Sequence, residues 1–333
     1  MNGSALPPID RPYPSKLFVE VTTACNLRCA MCVKQSGPGI PDEHMTLATF
    51  QRLLPAFATL ETLLLNGIGE PLLHPLLEDF VRLAKRRLPE NAFVGFQTNG
   101  TLLTPERARS LLAAGTNIIC LSVDAADPAL FRSMREGGGA EDVNRAAAAL
   151  NEARKSVGSP DFRWGAELVL TSDTLGELPR VVEWVGERAG SFLLLTHLLP
   201  YREESVPGVA YNPNVDETLS FYRERSREAK RQGIDLSRYI EAKWRFRPVE
   251  RREETVAFME NVIAEISARG LPQHVPNLVA HDEERHRLLE ELFRRCGESA
   301  SRLGVELRLP SLSPRNKRRC DFIEEGSAFV AAS

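Results

Sequence analysis

Three cysteines stand within eight residues near the beginning of the chain, in the spacing Cys-x3-Cys-x2-Cys. Cys25, Cys29 and Cys32 follow the apolar segment 17–23, and too few residues separate them for a regular helix. Such a loop can close around one inorganic centre, because thiolates suit zinc or an iron-sulfur cluster. A cubane with four irons normally takes four thiolates, so three would leave one iron for another ligand. Zinc would need a fourth ligand, and the nearest candidate, His44, stands at no recognisable interval.

Polar residues also follow the later apolar segments. Those that could contact a ligand are Gly69, Glu70, Asn99, Ser122, Asp124, Arg135 and Thr171. Glycine permits close backbone approach, and a carboxylate with strand-end carbonyls can hold an ammonium group. Ordinary structural roles compete with ligand binding: Asn99 fits a turn, and Ser122 and Asp124 fit helix caps. Arg135 also fits a solvated surface.

The cysteine spacing resembles the signature of the radical SAM enzymes, which use S-adenosylmethionine (SAM). The segment 69–71, Gly-Glu-Pro, is similar to the Gly-Gly-Glu-Pro motif of this family, with Ile68 in place of the first glycine. The segment 98–100 resembles the Thr-Asn-Gly of the family, and the segment 122–124 resembles its Ser-x-Asp. The motifs occur in the family's order, so the resemblance extends from residue 17 to about residue 200.

This resemblance implies that Cys25, Cys29 and Cys32 bind a [4Fe-4S] cluster. In the family, the free iron is chelated by the amino and carboxylate groups of SAM, and an electron from the cluster cleaves SAM to a 5'-deoxyadenosyl radical. The resemblance also implies a reductant such as flavodoxin or ferredoxin, and a peptide, protein or small-molecule substrate.

The resemblance extends to individual residues of the cofactor site. It implies that the segment 69–70 holds the methionine amino group and that Asn99 lines the cofactor or substrate cavity. Ser122 would contact the methionine or ribose portion of SAM, and Arg135 could pair with the methionine carboxylate. Either Thr171 or Asp173 could bind the ribose hydroxyls.

Strand and helix patterns alternate through the first 200 residues. Six apolar segments are predicted strands: 17–23, 62–66, 93–97, 117–123, 162–171 and 192–199. Alternation of this kind predicts a parallel sheet covered by helices, with the polar residues gathered at the carboxyl ends of the strands. We therefore predict an α/β fold, a partial (β/α)6 barrel of parallel strands with a mostly helical C-terminal extension.

The predicted domains are a lead-in at 1–16, the radical SAM partial barrel at 17–205, a helical extension at 206–303, and a C-terminal part at 304–333. The segment from Cys320 looks like the start of the C-terminal module that many radical SAM maturases use to carry auxiliary clusters. Cys296 and Cys320 alone cannot ligate a cubane, so an auxiliary cluster involving Cys320 would need further ligands. Cys120 lies in an apolar segment and is predicted to be a buried small hydrophobe.

Composition narrows the class of protein. The net charge of −3 does not indicate a nucleic-acid footprint, and the basic runs 223–231, 245–252 and 315–319 alternate with acidic residues as solvated helix faces do. No segment is apolar enough to serve as a signal peptide or to span a bilayer. We interpret the six cysteines as metal ligands or core residues rather than as disulfides, which fits a reducing compartment. We therefore predict a cytoplasmic protein.

These observations predict a radical SAM enzyme that removes a hydrogen atom from a substrate carbon. The C-terminal resemblance favours modification of a peptide or protein, or maturation of a cofactor. One alternative is a small-molecule radical SAM enzyme, similar to the molybdenum-cofactor cyclases. Another is a non-catalytic iron-sulfur or zinc protein that acts as a binding module.

Overall fold

A computed structural model describes residues 12–35, 39–199, 208–210, 214–244, 248–279, 283–310, 312 and 326–332. The chain divides into two compact units. The first comprises Met1–Val209, Arg295–Leu309 and Arg319–Ser333, and the second comprises Ala210–Arg294 and Pro310–Arg318.

The first unit contains a large parallel sheet and a short two-stranded ladder. Its described strands are β1 (Lys16–Val19), β2 (Arg28–Cys29), β3 (Thr62–Leu64), β4 (Phe93–Thr98), β5 (Ile118–Ser122), β6 (Arg135–Glu136), β7 (Arg163–Leu170), β8 (Phe192–His197), β9 (Glu306–Arg308) and β10 (Ser327–Val330). Eight of them form the sheet in the spatial order β10-β1-β3-β4-β5-β7-β8-β9, and every neighbouring pair is parallel. The remaining two, β2 and β6, pair antiparallel.

Helices connect the strands of this sheet. They are α1 (Leu47–Gln51), α2 (Leu54–Phe57), α3 (Leu77–Lys85), α4 (Pro105–Ala114), α5 (Pro128–Met134), α6 (Ala140–Val157) and α7 (Leu178–Glu187). Thr104 caps α4 by accepting from the backbone nitrogen of Arg107, and Gly115 ends it with a φ of 107°, which favours glycine.

The two faces of the parallel sheet differ in burial. Side chains such as Val94, Ile119 and Leu168 are fully buried on one face, where α3, α6 and α7 contact the strands. On the other face Gln97, Cys120, Glu167 and Thr196 are partly or fully exposed. We call this second surface, defined by these four residues, the open face. An all-parallel sheet is normally covered on both sides, whereas these four side chains keep solvent exposure among the described residues.

The predicted α/β fold with parallel strands is confirmed, and all six predicted strands belong to the sheet. The sheet also takes in β9 beside β8 and β10 beside β1, and these two are its edges among the described strands. Both come from the predicted C-terminal part at 304–333. The domain boundaries at 205 and 303 stay predictions.

The second unit is helical, which confirms the predicted character of the C-terminal extension. Its helices are α8 (Asp216–Arg231), α9 (Tyr239–Trp244), α10 (Arg252–Ala268) and α11 (Val275–Val279), followed by α12 (Glu283–Leu303), which continues into the first unit from Arg295. Leu219, Met259 and Leu278 are fully buried in its core. Across the parts of the chain that the structure describes, no helix combines the length and apolarity that crossing a membrane requires.

Candidate functional site

The three clustered cysteines lie on a loop that follows β1. Cys25, Cys29 and Cys32 are partly exposed and form no disulfide. The backbone of Cys29 belongs to β2, and in the β2–β6 ladder Cys29 is opposite Arg135. The nitrogen of Ala30 donates to the carbonyl of Met134 at 3.0 Å, so the loop is fixed to the turn that follows α5.

Burial governs the acidity of two of these thiols. It raises the pKa of Cys25, and it raises the pKa of Cys29 to about 11, with the guanidinium of Arg135 acting in the opposite direction. Both thiols are therefore protonated at neutral pH in the absence of a metal. Metal binding must release their protons, so the affinity of the loop for a cluster will rise with pH.

Lys34 is a cation beside the cysteine loop to which sequence analysis assigned no role. Its ammonium group donates to the carbonyl of Thr23 and pairs with Asp42 at 2.5 Å. Thr23 also accepts a hydrogen bond from the nitrogen of Glu43 at 2.8 Å. These contacts attach the segment that follows the cysteines to Thr23, in the stretch after β1. No short motif in the sequence indicates them.

Gly69 lies directly against the start of the cysteine loop. A Cβ atom at this position would come within 2.2 Å of the carbonyl oxygen of Thr22 and 2.6 Å of that of Ala24, so only glycine fits. The next residue, Glu70, donates its backbone nitrogen to the same Ala24 carbonyl at 2.7 Å. Gly69 therefore allows a close approach between its own backbone and that of the cysteine loop, while its predicted contact with the methionine amino group stays a prediction.

The Glu70 carboxylate is almost completely buried, with 3% of the residue exposed. It accepts hydrogen bonds from the nitrogen of Leu72 at 3.1 Å, the hydroxyl of Thr98 at 2.6 Å and the nitrogen of Asn99 at 2.8 Å. Burial raises its pKa, while these hydrogen bonds lower it. The carboxylate thus joins the loops after β3 and β4. The oxygen that bonds Asn99 has a further lone pair, so contact with an ammonium group stays a prediction.

The Asn99 side chain belongs to a ring of hydrogen bonds. Its amide nitrogen donates to Asn26 at 2.9 Å, and the Asn26 amide donates to the Thr101 hydroxyl at 2.8 Å. That hydroxyl and the backbone nitrogen of Thr101 both donate to the Asn99 oxygen, at 2.7 and 3.0 Å. Asn99 therefore holds the cysteine loop against the turn after β4, and its predicted place in the cofactor cavity stays a prediction.

Ser122 stands at the carboxyl end of β5. Its hydroxyl oxygen accepts a hydrogen bond from the Gln97 side chain at 3.0 Å. The sheet register places Ser122 opposite Glu167, a residue of the open face. Because its own proton can rotate toward a ligand, this hydroxyl keeps the donor capacity that the predicted SAM contact needs.

Asp124 and Arg135 form a buried ion pair. The Nε atom of Arg135 lies 2.7 Å from Oδ2 of Asp124, and its Nη1 donates toward Sγ of Cys29 at 3.8 Å. The exposed fractions are 0% for Asp124 and 8% for Arg135, which rules out the solvated-surface alternative for this arginine. The other Asp124 oxygen accepts from the nitrogen of Val169 at 2.9 Å. The predicted pairing of Arg135 with the methionine carboxylate stays a prediction.

Thr171 ends β7 and shapes the turn that follows. Its hydroxyl accepts from the backbone nitrogens of Asp173 and Thr174, at 3.2 and 3.1 Å, and its own nitrogen donates to the Thr174 hydroxyl at 2.8 Å. The side chain is buried. These bonds give Thr171 a turn-forming role, and its contact with ribose stays a prediction.

Glu177 connects two strand-end loops, a role that sequence analysis did not assign. Its carboxylate accepts from the nitrogens of Ala126 and Asp127 at 2.8 and 2.7 Å and pairs with Arg180 at 2.8 Å. The loops after β5 and β7 are therefore joined by one side chain. The sequence around Glu177 does not indicate this role, because Asp127, one of the residues that it binds, lies 50 residues earlier in the chain.

The remaining cysteines lie away from the loop. Cys120 keeps partial solvent accessibility on the open face, yet burial raises the pKa of its thiol well above the usual value, so the prediction of a buried small hydrophobe is correct in part. The fully buried face of β5 is that of its neighbours Ile119 and Leu121. Cys296 is buried in α12, where burial raises its pKa to about 11. Cys320, predicted to take part in an auxiliary cluster, lies outside the described residues.

The model of the radical SAM superfamily matches residues 19–185 of this chain. The match includes the cysteine loop and the five strands from β3 to β7. The chain belongs to the radical SAM superfamily, and the resemblance predicted from its motifs is confirmed. The family implies a [4Fe-4S] cluster and SAM.

Two curated relatives are similar to this chain. The tungsten-containing aldehyde ferredoxin oxidoreductase cofactor-modifying protein of Pyrococcus furiosus is 31% identical over 61% of this chain and 56% of its own length. The GTP 3',8-cyclase of Caulobacter vibrioides is 33% identical over 56% of this chain and 52% of its own length. The chain spans about half the length of these relatives. A solved structure of native anSMEcpe with bound AdoMet has a TM-score of 0.49 and 21% identity, covering 68% of this chain and 66% of that one.

The residues of the loop fit a [4Fe-4S] cluster in the chemistry of their donors. Three partly exposed thiols share one loop, and the carbonyls of Thr22 and Ala24 approach the backbone of Gly69 in a way that only glycine allows. Across the described ranges, no three His, Cys, Asp or Glu side chains converge on a point that could hold a single metal ion. A cubane offers a separate corner to each thiolate, so its ligands do not need to meet at one point.

Proposed function

We propose that this chain binds a [4Fe-4S] cluster through Cys25, Cys29 and Cys32 and acts as a radical SAM enzyme. When bound, the cluster would supply the electron that cleaves SAM to a 5'-deoxyadenosyl radical, which removes a hydrogen atom from the substrate. The observation that carries the proposal is the fixed position of the cysteine loop, which contacts two strand-end loops at Gly69 and Asn99 and the β6 strand at Arg135.

The residues of the chain would bind and orient the cofactor. The strand-end carbonyls around Gly69 and the remaining lone pair of Glu70 would receive the methionine amino group, because this buried site supplies acceptors and close backbone approach. The Ser122 hydroxyl would donate to the cofactor from the edge of the open face. Since these groups are held by hydrogen bonds within the protein, little reorganisation would be needed when SAM binds.

The open face would receive the substrate. It presents Glu167 and Thr196, whose hydroxyl donates to Glu167 at 2.7 Å, and Glu167 is opposite Ser122 in the sheet register. The chain would position the substrate there and exclude water from the radical. Glu167 supplies hydrogen-bond acceptors, so it would select for substrate groups that donate hydrogen bonds or carry positive charge.

The enzyme would modify a peptide or protein, or take part in the maturation of a cofactor. The name of the Pyrococcus furiosus relative, a cofactor-modifying protein, supports this class. The similarity to a GTP 3',8-cyclase favours a second candidate, a small-molecule radical SAM enzyme. We place the protein in the cytoplasm, because a reducing compartment would keep these thiols available for the cluster. The electron donor would be flavodoxin or ferredoxin, as the family resemblance implies. The net charge of −3 favours no nucleic-acid partner.

Anaerobic reconstitution with iron and sulfide tests the proposal. The wild-type protein should take up about four irons per chain and release 5'-deoxyadenosine when SAM and dithionite are added. Cys29→Ala should lose both properties, whereas the matched control Cys296→Ala should keep them because its thiol lies in α12. Stable zinc in the wild-type protein with no SAM cleavage would contradict the proposal. Product formation with GTP would favour the second candidate.

A further inference from the structure

We propose that the Asp124–Arg135 ion pair sets the reduction potential of the cluster, with Arg135 as a positioning residue that acts on Cys29. This inference rests on the proposed function, since it concerns the same cluster. It gives Arg135 a role toward the protein's own thiolate in place of the predicted role toward the methionine carboxylate.

Two independent contacts place Arg135 against Cys29. Their backbones are opposite each other in the β2–β6 ladder, so the two Cα positions are fixed by strand pairing. The guanidinium also donates from Nη1 toward Sγ of Cys29 at 3.8 Å. A deprotonated, metal-bound sulfur is a better acceptor than a thiol, so this contact would strengthen when the cluster is bound.

Asp124 fixes the direction of the guanidinium. Its Oδ2 atom lies 2.7 Å from Nε of Arg135, and its Oδ1 atom accepts from the Val169 nitrogen. The aspartate is therefore attached to β7 while it holds an arginine whose other end reaches the cysteine loop. This is the arrangement by which a residue outside the metal ligands orients a group next to a ligand and tunes the metal.

Burial of both charges indicates that the pair has more than a stabilising role. Removing an aspartate and an arginine from water carries a large desolvation cost, and apolar residues of similar size often give equal or greater stability. Both side chains are nearly inaccessible. In such surroundings the field of a charge is weakly screened, so both groups act strongly on a cluster held at Cys29.

The signs of the two charges give opposite predictions. Reduction of the cluster from [4Fe-4S]2+ to [4Fe-4S]+ adds one electron, taken from the reductant. The cation of Arg135 favours the added negative charge and raises the reduction potential, while the anion of Asp124 lowers it. Hydrogen bonds to cluster sulfurs and local net charge are known determinants of this potential.

The test is a spectroelectrochemical titration of the reconstituted cluster without SAM. Arg135→Gln should lower the ratio of reduced to oxidised cluster at a fixed potential by about tenfold, which is 59 mV for a one-electron couple. Asp124→Asn should raise this ratio, and the double variant should lie between the two. Arg135→Lys, which retains the charge, should stay closer to wild type than Arg135→Gln.

Arg107→Gln is the matched control. Arg107 lies in α4 and pairs with Glu78 of α3 at 2.6 Å, so it belongs to neither the cysteine loop nor the β2–β6 ladder, and its removal should leave the potential unchanged. Equal potentials in wild type, Arg135→Gln and Asp124→Asn would overturn the inference, as would shifts in the same direction for both variants. If Arg135→Gln keeps the wild-type potential but binds SAM more weakly, Arg135 pairs with the methionine carboxylate, and this result too would overturn the inference.

Two further outcomes separate the inference from the proposed function. If both single variants lose the cluster, the measurement is made on the double variant, because it leaves neither charge unpaired. If the double variant also loses the cluster, the ion pair has a structural role and the inference is overturned. Normal SAM cleavage by the wild-type protein together with unchanged potentials would leave the proposed function intact, whereas a wild-type protein that takes up no cluster would overturn both.

Discussion

The side-chain amide of Asn99 donates a hydrogen bond to Asn26 across 2.9 Å, although 73 residues separate them in the sequence. Asn26 directly follows the first cysteine of the cluster loop, and Asn99 lies in the turn after β4. A strand-end loop that carries no thiol therefore helps to hold the cysteine loop in place. Contacts of this kind, rather than the cysteines alone, determine whether the loop is formed before a cluster arrives.

Asn26→Ala should destabilise the protein and slow cluster uptake. The substitution removes the acceptor of the Asn99 amide in a part-buried hydrogen bond, and the loss of such a bond costs about 0.5–1.5 kcal/mol. Urea denaturation of the cluster-free protein measures the free energy of unfolding, and the rate of iron incorporation measures uptake. Asn91→Ala, in an exposed turn, is the control. Unchanged stability and uptake in Asn26→Ala would show that the ring does not hold the loop.

Gly69→Ala should prevent formation of the cofactor site. The added Cβ would lie 2.2 Å from the Thr22 carbonyl oxygen, so one of the two backbones must move. Overpacking of this kind costs about 1–3 kcal/mol, and here it also displaces the base of the cysteine loop. SAM binding by isothermal titration calorimetry on the reconstituted protein measures the effect, and it should be lost.

The control for that substitution is Gly176→Ala. A Cβ at Gly176 meets no atom within 4 Å, so the added methyl group should leave SAM binding unchanged. Binding by Gly69→Ala as tight as that of the control would mean that the close approach of the two backbones is not required.

His74 should make the stability of the protein depend on pH. Its Nε2 bonds the Met45 carbonyl at 2.9 Å, and its Nδ1 accepts from the Leu76 nitrogen at 3.1 Å, which requires the neutral ring. Burial lowers its pKa from 6.5. The unfolded chain therefore binds the proton more readily, so this contribution is complete above about pH 6.5 and is lost as the pH falls below it.

Urea denaturation between about pH 7.5 and 5 measures this dependence, within the range where histidine titrates. His74→Gln should be less stable at high pH and should show a smaller decrease toward low pH. The exposed His274→Gln should follow the wild-type curve. Parallel curves for wild type and His74→Gln would assign the pH dependence to other groups.

The strands of the sheet could be predicted from the sequence because each is a short apolar segment between helical patterns. The three cysteines could be proposed as cluster ligands from the sequence as well, since their spacing is local, and this role stays a prediction. The ladder between β2 and β6 could not, because two residues on each side carry no periodicity and the pairing joins distant parts of the chain. For the same reason, the sequence did not indicate that β9 and β10, from the C-terminal part, form the edges of the main sheet among the described strands.

The sequence indicates only part of what the polar candidate residues contact. Position at the end of a strand made Glu70 and Asn99 candidate site residues, and the resemblance did so for Arg135, but neither indicated their partners in the protein. The structure gives each of them a protein partner on another loop, namely Thr98, Asn26 and Asp124. A single sequence records which residue types are present, whereas the choice between a cofactor and another side chain depends on long-range geometry.

Electron paramagnetic resonance of the reduced, reconstituted protein tests the central claim most directly. If three sulfurs hold the cluster and one iron is available, adding SAM should change the spectrum, because the cofactor becomes a ligand of that iron. Cys29→Ala should give no such signal. A wild-type spectrum that is identical with and without SAM, from a cluster whose irons are all held by protein ligands, would contradict the account.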